Sequence, residues 1–138
     1  MARCASGPAG AAARLRNLVI DHLGFEVRDL TRSARFYDAV FYALGVRRMH
    51  EGPAAIAYGT DEPTFWIVER GRRPAPGYGH VALRAVGRRA VEAAHAAGLA
   101  NGGRDDGPPG PRPQYGARTY AAYLLDPDGL RIELVSVR

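Results

Sequence analysis

The chain has 138 residues, of which 46% are hydrophobic, and a formal net charge of +5 at pH 7. This length suits one domain with a single core, and no apolar run approaches the roughly 18 residues of a membrane-spanning helix. The basic residues are all arginines, so the lack of lysine excludes Schiff-base chemistry and a P-loop lysine. The single cysteine, Cys4, excludes a disulfide framework and a thiolate metal site.

Much of the positive charge lies at the start of the chain. Residues 1–16 hold Arg3, Arg14 and Arg16 and no acid, and they are rich in alanine and glycine. This composition predicts a disordered N-terminal tail, and it lacks the apolar core of a secretory signal. The other arginines are dispersed among acids, which predicts a solvated surface and no nucleic-acid partner. We therefore expect a cytoplasmic protein that does not bind membranes.

The first half of the chain predicts one strand, one helix and three further strands. Alternating apolar residues predict a strand over Leu18–Val27, and Asp29 and Thr31 are candidate N-caps for the next helix. That helix is predicted over Arg32–Leu44, closed by Gly45. A Pro/Gly-rich linker ends this half at Arg70–Gly77. The three strands between helix and linker are predicted at Val46–Glu51, Ala54–Gly59 and Thr64–Val68.

The second half repeats this order, so the chain reads as two tandem βαβββ modules. Gly79–Ala85 repeats the pattern of Asp21–Val27, with His80 lying 58 residues after His22. A helix follows at Arg88–Ala97, closed by Gly98. We predict an α+β fold in one domain over residues 17–137, with module one at about 17–70 and module two at about 78–137. The remaining elements are a short strand near Gly102–Asp105, a loop at Gly107–Gly116, and strands at Thr119–Leu125 and Arg131–Val137.

Three side chains in equivalent or facing positions form a candidate metal site. Strand alternation turns His22 and His80 away from the large apolar residues that a covering helix needs. Glu133 likewise faces away from Ile132 and Leu134, in the strand that follows the Asp-Pro-Asp-Gly turn. Two imidazoles and one carboxylate form a ligand set that suits Fe(II), Mn(II), Zn(II), Co(II) or Ni(II) and leaves positions open for water or substrate.

The sequence resembles the vicinal oxygen chelate superfamily in three features. These are the paired modules, the Asp-His-Leu-Gly and Gly-His-Val-Ala segments, and the closing Asp-Pro-Asp-Gly-Leu-Arg-Ile-Glu-Leu stretch. The superfamily's members include glyoxalase I, extradiol dioxygenases, methylmalonyl-CoA epimerase, and fosfomycin- and bleomycin-resistance proteins. The resemblance covers residues 17–137 and implies a curved, barrel-like mixed sheet with helices on the outside. It also implies that His22, His80 and Glu133 bind the metal, and that a homodimer can form.

Other candidate site residues follow from the same resemblance. Trp66 matches Glu133 in module one, where glyoxalase I carries a fourth metal ligand, so the glyoxalase set is broken. Tyr123 lies ten residues before Glu133, the spacing of a substrate-contacting tyrosine in extradiol dioxygenases, which makes both residues catalytic candidates. Gln114 stands where those enzymes tend to carry a histidine. We therefore expect Gln114 to contact substrate and interpret Trp66 as either a core residue or a substrate contact. Independently of the resemblance, Arg84 lies two residues from His80 on the same face, and it is interpreted as either a partner for an anionic substrate group or a member of a rim salt bridge.

Two functions remain open from the sequence. The first is a metal-dependent small-molecule enzyme with dioxygenase-like or lyase/isomerase-like chemistry. The second is a metal-free binding protein that sequesters an aromatic or cationic molecule against Trp66 and Tyr123. The loop Pro108–Arg118 is interpreted as either a lid or a plain connection, His95 as a surface or interhelical residue, and His50 as an exposed residue at a strand end.

Overall fold

The computed structural model describes residues 19–137, which form two modules with the same order of elements. The prediction of an α+β fold with two βαβββ modules is confirmed, and the predicted tail of residues 1–16 lies outside the described residues. Module one contains β1 (Leu23–Val27), α1 (Leu30–Ala43), β2 (Arg47–Glu51), β3 (Ala55–Gly59) and β4 (Pro63–Glu69). Module two contains β5 (His80–Arg84), α2 (Arg88–Ala100), β6 (Arg104–Pro111), a 3-10 turn (Pro113–Tyr115), β7 (Tyr120–Leu125) and β8 (Arg131–Ser136).

Each module forms its own four-stranded sheet. The strand order is β1-β4-β3-β2 in sheet one and β5-β8-β7-β6 in sheet two. The first and last strands of each module pair in parallel, and the other neighbours pair antiparallel. The sheets are separate and not closed into a barrel, so β1 and β5 are each an edge strand within the described chain.

One core joins the two modules. Helix α1 packs on sheet one, α2 packs on sheet two, and the helices pack against each other. On α1, Tyr37 and Phe41 form ring contacts with Phe65 and Tyr58 of sheet one. Both sheets therefore turn their apolar faces toward a shared core, and their other faces point away from it. None of the helices in the described residues is long and apolar enough to span a membrane.

The glycines near the C-terminal ends of the two helices have different roles, and α1 also has a side-chain N-cap. Asp29 is the N-cap of α1 and accepts a hydrogen bond from the backbone N–H of Arg32, and Gly45 follows the helix with a φ of +77°. The predicted end of α2 at Gly98 is wrong, because the helix continues to Ala100. Gly98 is buried inside the helix, where a Cβ would lie 2.5 Å from Cδ1 of Leu124. Glycine is needed there for close packing of the helix on β7 rather than for a turn.

Three further expectations need correction. The first strand begins at Leu23 rather than Leu18, so His22 lies just before it. The predicted loop over residues 107–116 is instead part of strand β6 as far as Pro111. Strand β6 tolerates prolines because it is an edge strand, so they need not donate a backbone hydrogen bond to a second neighbouring strand. Of the two alternatives for His95, the surface position is wrong, because the residue is 7% exposed and its Nε2 lies 2.9 Å from Oδ1 of Asp105.

The turn between β7 and β8 connects module two to α1 of module one. Asp126 is buried and accepts hydrogen bonds from the Tyr37 hydroxyl at 2.6 Å and from the backbone N–H groups of Asp128 and Leu130. Asp128 accepts from the backbone N–H of Arg28 and, at 2.6 Å, from the Arg32 guanidinium. Burial raises the pKa of Asp126 above its ordinary value. The turn thus holds two carboxylates against the start of α1, where the helix dipole favours negative charge.

Loss of the Tyr37–Asp126 hydrogen bond should lower the free energy of unfolding. Tyr37→Phe removes one of the donors to a buried carboxylate, so we expect the free energy of unfolding to fall by about 1–3 kcal/mol. Urea unfolding would measure this loss. Tyr42→Phe is the matched control, because Tyr42 lies on the same helix and is 86% exposed. Equal stability of the two variants would contradict a role for the bond in joining the modules.

Candidate functional site

Glu133 and Tyr123 face each other on the side of sheet two that points away from the core. They are direct partners in the β7–β8 ladder, and the Tyr123 hydroxyl donates a hydrogen bond to Oε1 of Glu133. On the other side of β8, Glu133 pairs with Ala82, and His80 lies two positions earlier on the same strand. His80 and Glu133 therefore project from neighbouring strands on one face, as strand alternation predicted.

Arginines surround the Tyr123 ring. The Arg131 guanidinium carbon lies 4.1 Å from the ring centre, and that of Arg112 lies at 5.9 Å. Asp106 holds Arg131 through a 2.7 Å hydrogen bond from Nε. The hydrogen bond to Glu133, followed by burial, raises the pKa of Tyr123 to about 12. The phenol is consequently a stable donor at neutral pH, and Oε2 of Glu133 has no hydrogen-bond partner among residues 19–137, so it can accept from a further partner.

Sheet one carries a different set of side chains at the equivalent positions. Trp66 pairs with Gly24 in the parallel ladder, just as Glu133 pairs with Ala82, so the predicted match of Trp66 to Glu133 agrees with the register. The His50 ring centre lies 5.1 Å from that of Trp66. Glu69 points to the opposite face, where its Oε1 accepts a hydrogen bond from the backbone N–H of Leu30. No carboxylate therefore occupies the Trp66 position.

His22 has the surroundings of a possible metal ligand but lies apart from the other two. It is exposed, and its Nδ1 lies 2.7 Å from Oδ1 of Asp21, which leaves Nε2 free. A carboxylate on the second ring nitrogen is a common feature of metal-binding histidines. Within residues 19–137, however, no three His, Cys, Asp or Glu side chains lie close enough together to hold a metal ion. One chain thus brings His80 and Glu133 onto one face, whereas His22 lies just before β1 of the other sheet.

Two predicted substrate contacts lie at the margins of this face. Arg84 is exposed on β5, two positions beyond Ala82, with no side-chain partner among the described residues. Gln114 is exposed in the 3-10 turn. Arg112 steadies the segment before that turn by donating to the carbonyl oxygens of Pro108 and Pro111. These hydrogen bonds fix the segment before the 3-10 turn, which extends the β6–β7 hairpin and brings Arg112 over the Tyr123 ring.

A large cavity lies between β1, β5 and the linker that joins the modules. Its volume is about 1080 Å³, and His80 is the only predicted metal ligand in its lining. Sequence reasoning missed this cavity because residues remote in the chain form it. The basic stretch Arg70–Arg73 was the one available signal, and it was interpreted as part of the Pro/Gly-rich linker.

Comparisons with known proteins agree with this architecture. The family model described as Glyoxalase/Bleomycin resistance protein/Dioxygenase superfamily matches residues 19–134. A glyoxalase/bleomycin resistance protein from Albidiferax ferrireducens has 33% sequence identity and a TM-score of 0.76, covering 86% of this chain and 98% of its own. A glyoxalase I mutant from Zea mays has 28% identity and a TM-score of 0.66, with 84% of this chain matching 45% of that one. No curated protein matches the chain.

A more distant structure shows the same fold. The fosfomycin resistance protein of Mesorhizobium loti has 21% identity and a TM-score of 0.63, covering 85% of this chain and 90% of its own. The chain belongs to the glyoxalase/bleomycin resistance/dioxygenase superfamily, since the family match spans nearly all of the described residues. The resemblance stated from the sequence is thereby confirmed.

The Tyr123–Glu133 hydrogen bond predicts a measurable titration. Glu133→Gln removes the charged acceptor, so the pKa of Tyr123 should fall from about 12 toward its ordinary value. Because the pKa is raised in the folded chain, the stability from this bond is present below the unfolded pKa of about 10 and is lost as the pH rises through the folded value. Ultraviolet titration of tyrosinate, with Tyr123→Phe to identify the signal, would measure the shift. An unchanged titration would contradict the assignment.

Proposed function

We propose that the chain is a metal-dependent enzyme of the vicinal oxygen chelate type that acts on a small molecule. The divalent ion (Fe, Mn, Zn, Co or Ni) would be held by His22, His80 and Glu133. The observation that carries this proposal is that His80 and Glu133 project from neighbouring strands on one open sheet face, where Tyr123 orients the carboxylate. Two nitrogen donors and one oxygen donor suit these metals and leave coordination positions for substrate.

The third ligand would come from a second copy of the chain. His22 lies just before β1 of sheet one and His80 lies in β5 of sheet two, and among residues 19–137 each of these edge strands has a neighbouring strand on one side only. Exposed apolar side chains lie next to both edges, including Ile20 before β1, and Tyr78 and Val86 on either side of β5. Unpaired edges with apolar neighbours favour association. A homodimer in which β1 of one copy meets β5 of the other would bring His22 to His80 and Glu133.

The side chains around the proposed centre have separate roles. A bound divalent ion would supply Lewis-acid chemistry toward vicinal oxygens of the substrate. Tyr123 stays protonated and holds Glu133 in one orientation, since its pKa is raised to about 12. Arg84 has no carboxylate partner among the described residues and would bind an anionic group of the substrate. Gln114 would contact substrate from the 3-10 turn.

The class of reaction follows from the residue of module one that occupies the position equivalent to Glu133. Trp66 cannot supply the fourth ligand that glyoxalase I has there, and Glu69 points to the opposite face. A three-ligand centre favours dioxygenase-like or lyase/isomerase-like chemistry over a glyoxalase reaction. A cytoplasmic location remains a prediction.

A second candidate function rests on Trp66. Its ring is partly exposed beside His50 on the open face of sheet one, a suitable wall for an aromatic or cationic molecule. The similar protein from Albidiferax ferrireducens carries a bleomycin resistance description. In this alternative the chain sequesters its ligand without a metal. Tight binding in the presence of a chelator, with no turnover, would favour it over the enzyme.

The metal ligands can be tested by metal analysis of purified protein. We expect His80→Ala, His22→Ala and Glu133→Gln each to lose bound metal, because removing a ligand from a three-ligand site weakens binding strongly. His50→Ala is the matched control, since His50 lies on the open face of sheet one but outside the ligand set. Equal metal content in His80→Ala and the unmodified chain would exclude this site.

Mixed dimers test whether two copies share the site. Co-expression of His22→Ala with Glu133→Gln should restore metal binding, although neither variant binds alone. In a mixed dimer, one of the two sites takes its intact His22 from one copy and its intact Glu133 from the other. A site formed within a single chain would not recover, so an absence of metal in purified mixed dimers would contradict the shared arrangement.

A further inference from the structure

A second row of residues crosses the open face of sheet two beside the Glu133–Tyr123 pair. The ladders align its members across the four strands in the order Arg84, Val135, Ala121 and Gly110. Each lies two or three positions along its strand from the row that contains Glu133 and Tyr123. Two residues of a strand span about 7 Å, so the Ala121 row lies about 7 Å from Glu133.

The guanidinium of Arg112 lies at the Gly110 end of this row. Its Nη1 is 3.1 Å from the point that a Cβ on Gly110 would occupy. Because Gly110 and Ala121 are direct partners in the antiparallel ladder, that point is on the same face as the Ala121 side chain. The guanidinium carbon is 5.9 Å from the ring centre of Tyr123. The charged end of Arg112 therefore lies over the open face, between the Ala121 row and the tyrosine.

The charge of Arg112 has no counterion within residues 19–137. Its guanidinium donates at 2.8 Å and 3.3 Å to two backbone carbonyl oxygens of the hairpin, which are neutral acceptors. The carboxylates on this part of the face have other partners, since Asp106 accepts from Arg131 and Glu133 accepts from Tyr123. Arg112 is only partly exposed, so solvent compensates its charge incompletely. A bound anion would supply the missing counterion.

We propose that Arg112 determines specificity at the site of Glu133 by binding a carboxylate of the substrate. The substrate is then an acid with vicinal oxygens at one end and a carboxylate about 7 Å from Glu133 at the other. A guanidinium has five N–H donors and can hold both oxygens of a carboxylate, and Arg112 uses only two of its donors within the hairpin. Val135 and Ala121 form an apolar floor for the carbon chain that joins the two ends.

The position of Arg112 is compatible with a second copy of the chain at β5. The strand order of sheet two places β5 at one edge and β6 at the other, so the β6–β7 hairpin lies at the edge away from the proposed contact. This inference rests on the proposed function, because it assumes that substrate reaches the face of Glu133 and His80. It adds a second cation to Arg84, which lies at the β5 end of the same row.

Two matched pairs of probes test for the carboxylate. For the Mn(II)-loaded protein the probes are 2-oxoadipate and 2-oxohexanoate, which share the vicinal oxygens and the chain length but differ in the distal carboxylate. For protein treated with a chelator they are hexanoate and hexanamide. Calorimetry should show 2-oxoadipate binding about fivefold more tightly than 2-oxohexanoate, and hexanoate about threefold more tightly than hexanamide, as expected for a partly exposed charge pair.

Three variants assign this preference to Arg112. Arg112→Ala should remove most of it in both pairs and leave the binding of 2-oxohexanoate unchanged. Gly110→Val retains the charge but places a side chain where Nη1 lies, so it should lower the preference by displacing the guanidinium. Arg104→Ala is the matched control and should keep the preference, because Arg104 is exposed on the same strand and pairs with Leu125 at the other end of the face.

The two probe pairs separate this inference from the proposed metal centre. Absence of bound Mn(II) in the unmodified chain would contradict the proposed function, and the hexanoate pair would still decide the role of Arg112. The inference is overturned if neither carboxylate probe binds more tightly than its matched partner, or if Arg112→Ala keeps the preference that Arg104→Ala shows. It is also overturned if Arg112→Ala loses 2-oxohexanoate as well, since Arg112 would then support only the structure of the hairpin.

Discussion

The contact between the β7–β8 turn and α1 determines how the two modules are arranged. Asp126 is buried yet accepts three hydrogen bonds, so its charge is compensated only when Tyr37 and the turn backbone are in place. Asp128 fixes the first turn of α1 through Arg32 and the backbone N–H of Arg28. This arrangement directs the apolar faces of both sheets inward, so that the polar faces with the candidate site residues remain open.

The same arrangement separates the functional surfaces. Glu133, Tyr123 and His80 lie on the open face of sheet two, whereas His22 precedes the edge strand of sheet one. A centre that uses all three predicted ligands then depends on a second copy of the chain. The cavity between β1 and β5 is a consequence of the module packing too, because the two edge strands do not pair and the linker passes beside them.

Sequence patterns predicted local structure well where local interactions decide it. Asp29 at the N-cap and Gly45 after the helix act within a few residues of their own position, and both were recognised. Gly98 was misinterpreted because its role is to let Leu124 approach the helix, a contact between distant segments. The sequence left the position of His95 open for a similar reason, since only the tertiary fold brings Asp105 beside it. The prolines of β6 were interpreted as loop, although an edge strand tolerates them.

The sequence by itself determined the module repeat, the family, and the faces of the strands. Alternation in β4 and β8 is a local property, so it placed Trp66 opposite Gly24 and Glu133 opposite Ala82 without any knowledge of the packing. The tertiary structure alone decided which faces meet. It gave Glu133 a tyrosine partner, placed His22 before the edge strand of the other sheet, and brought Arg28 and Arg73 to one cleft. Such distances depend on how helices and turns pack across the whole chain, and no local pattern records them.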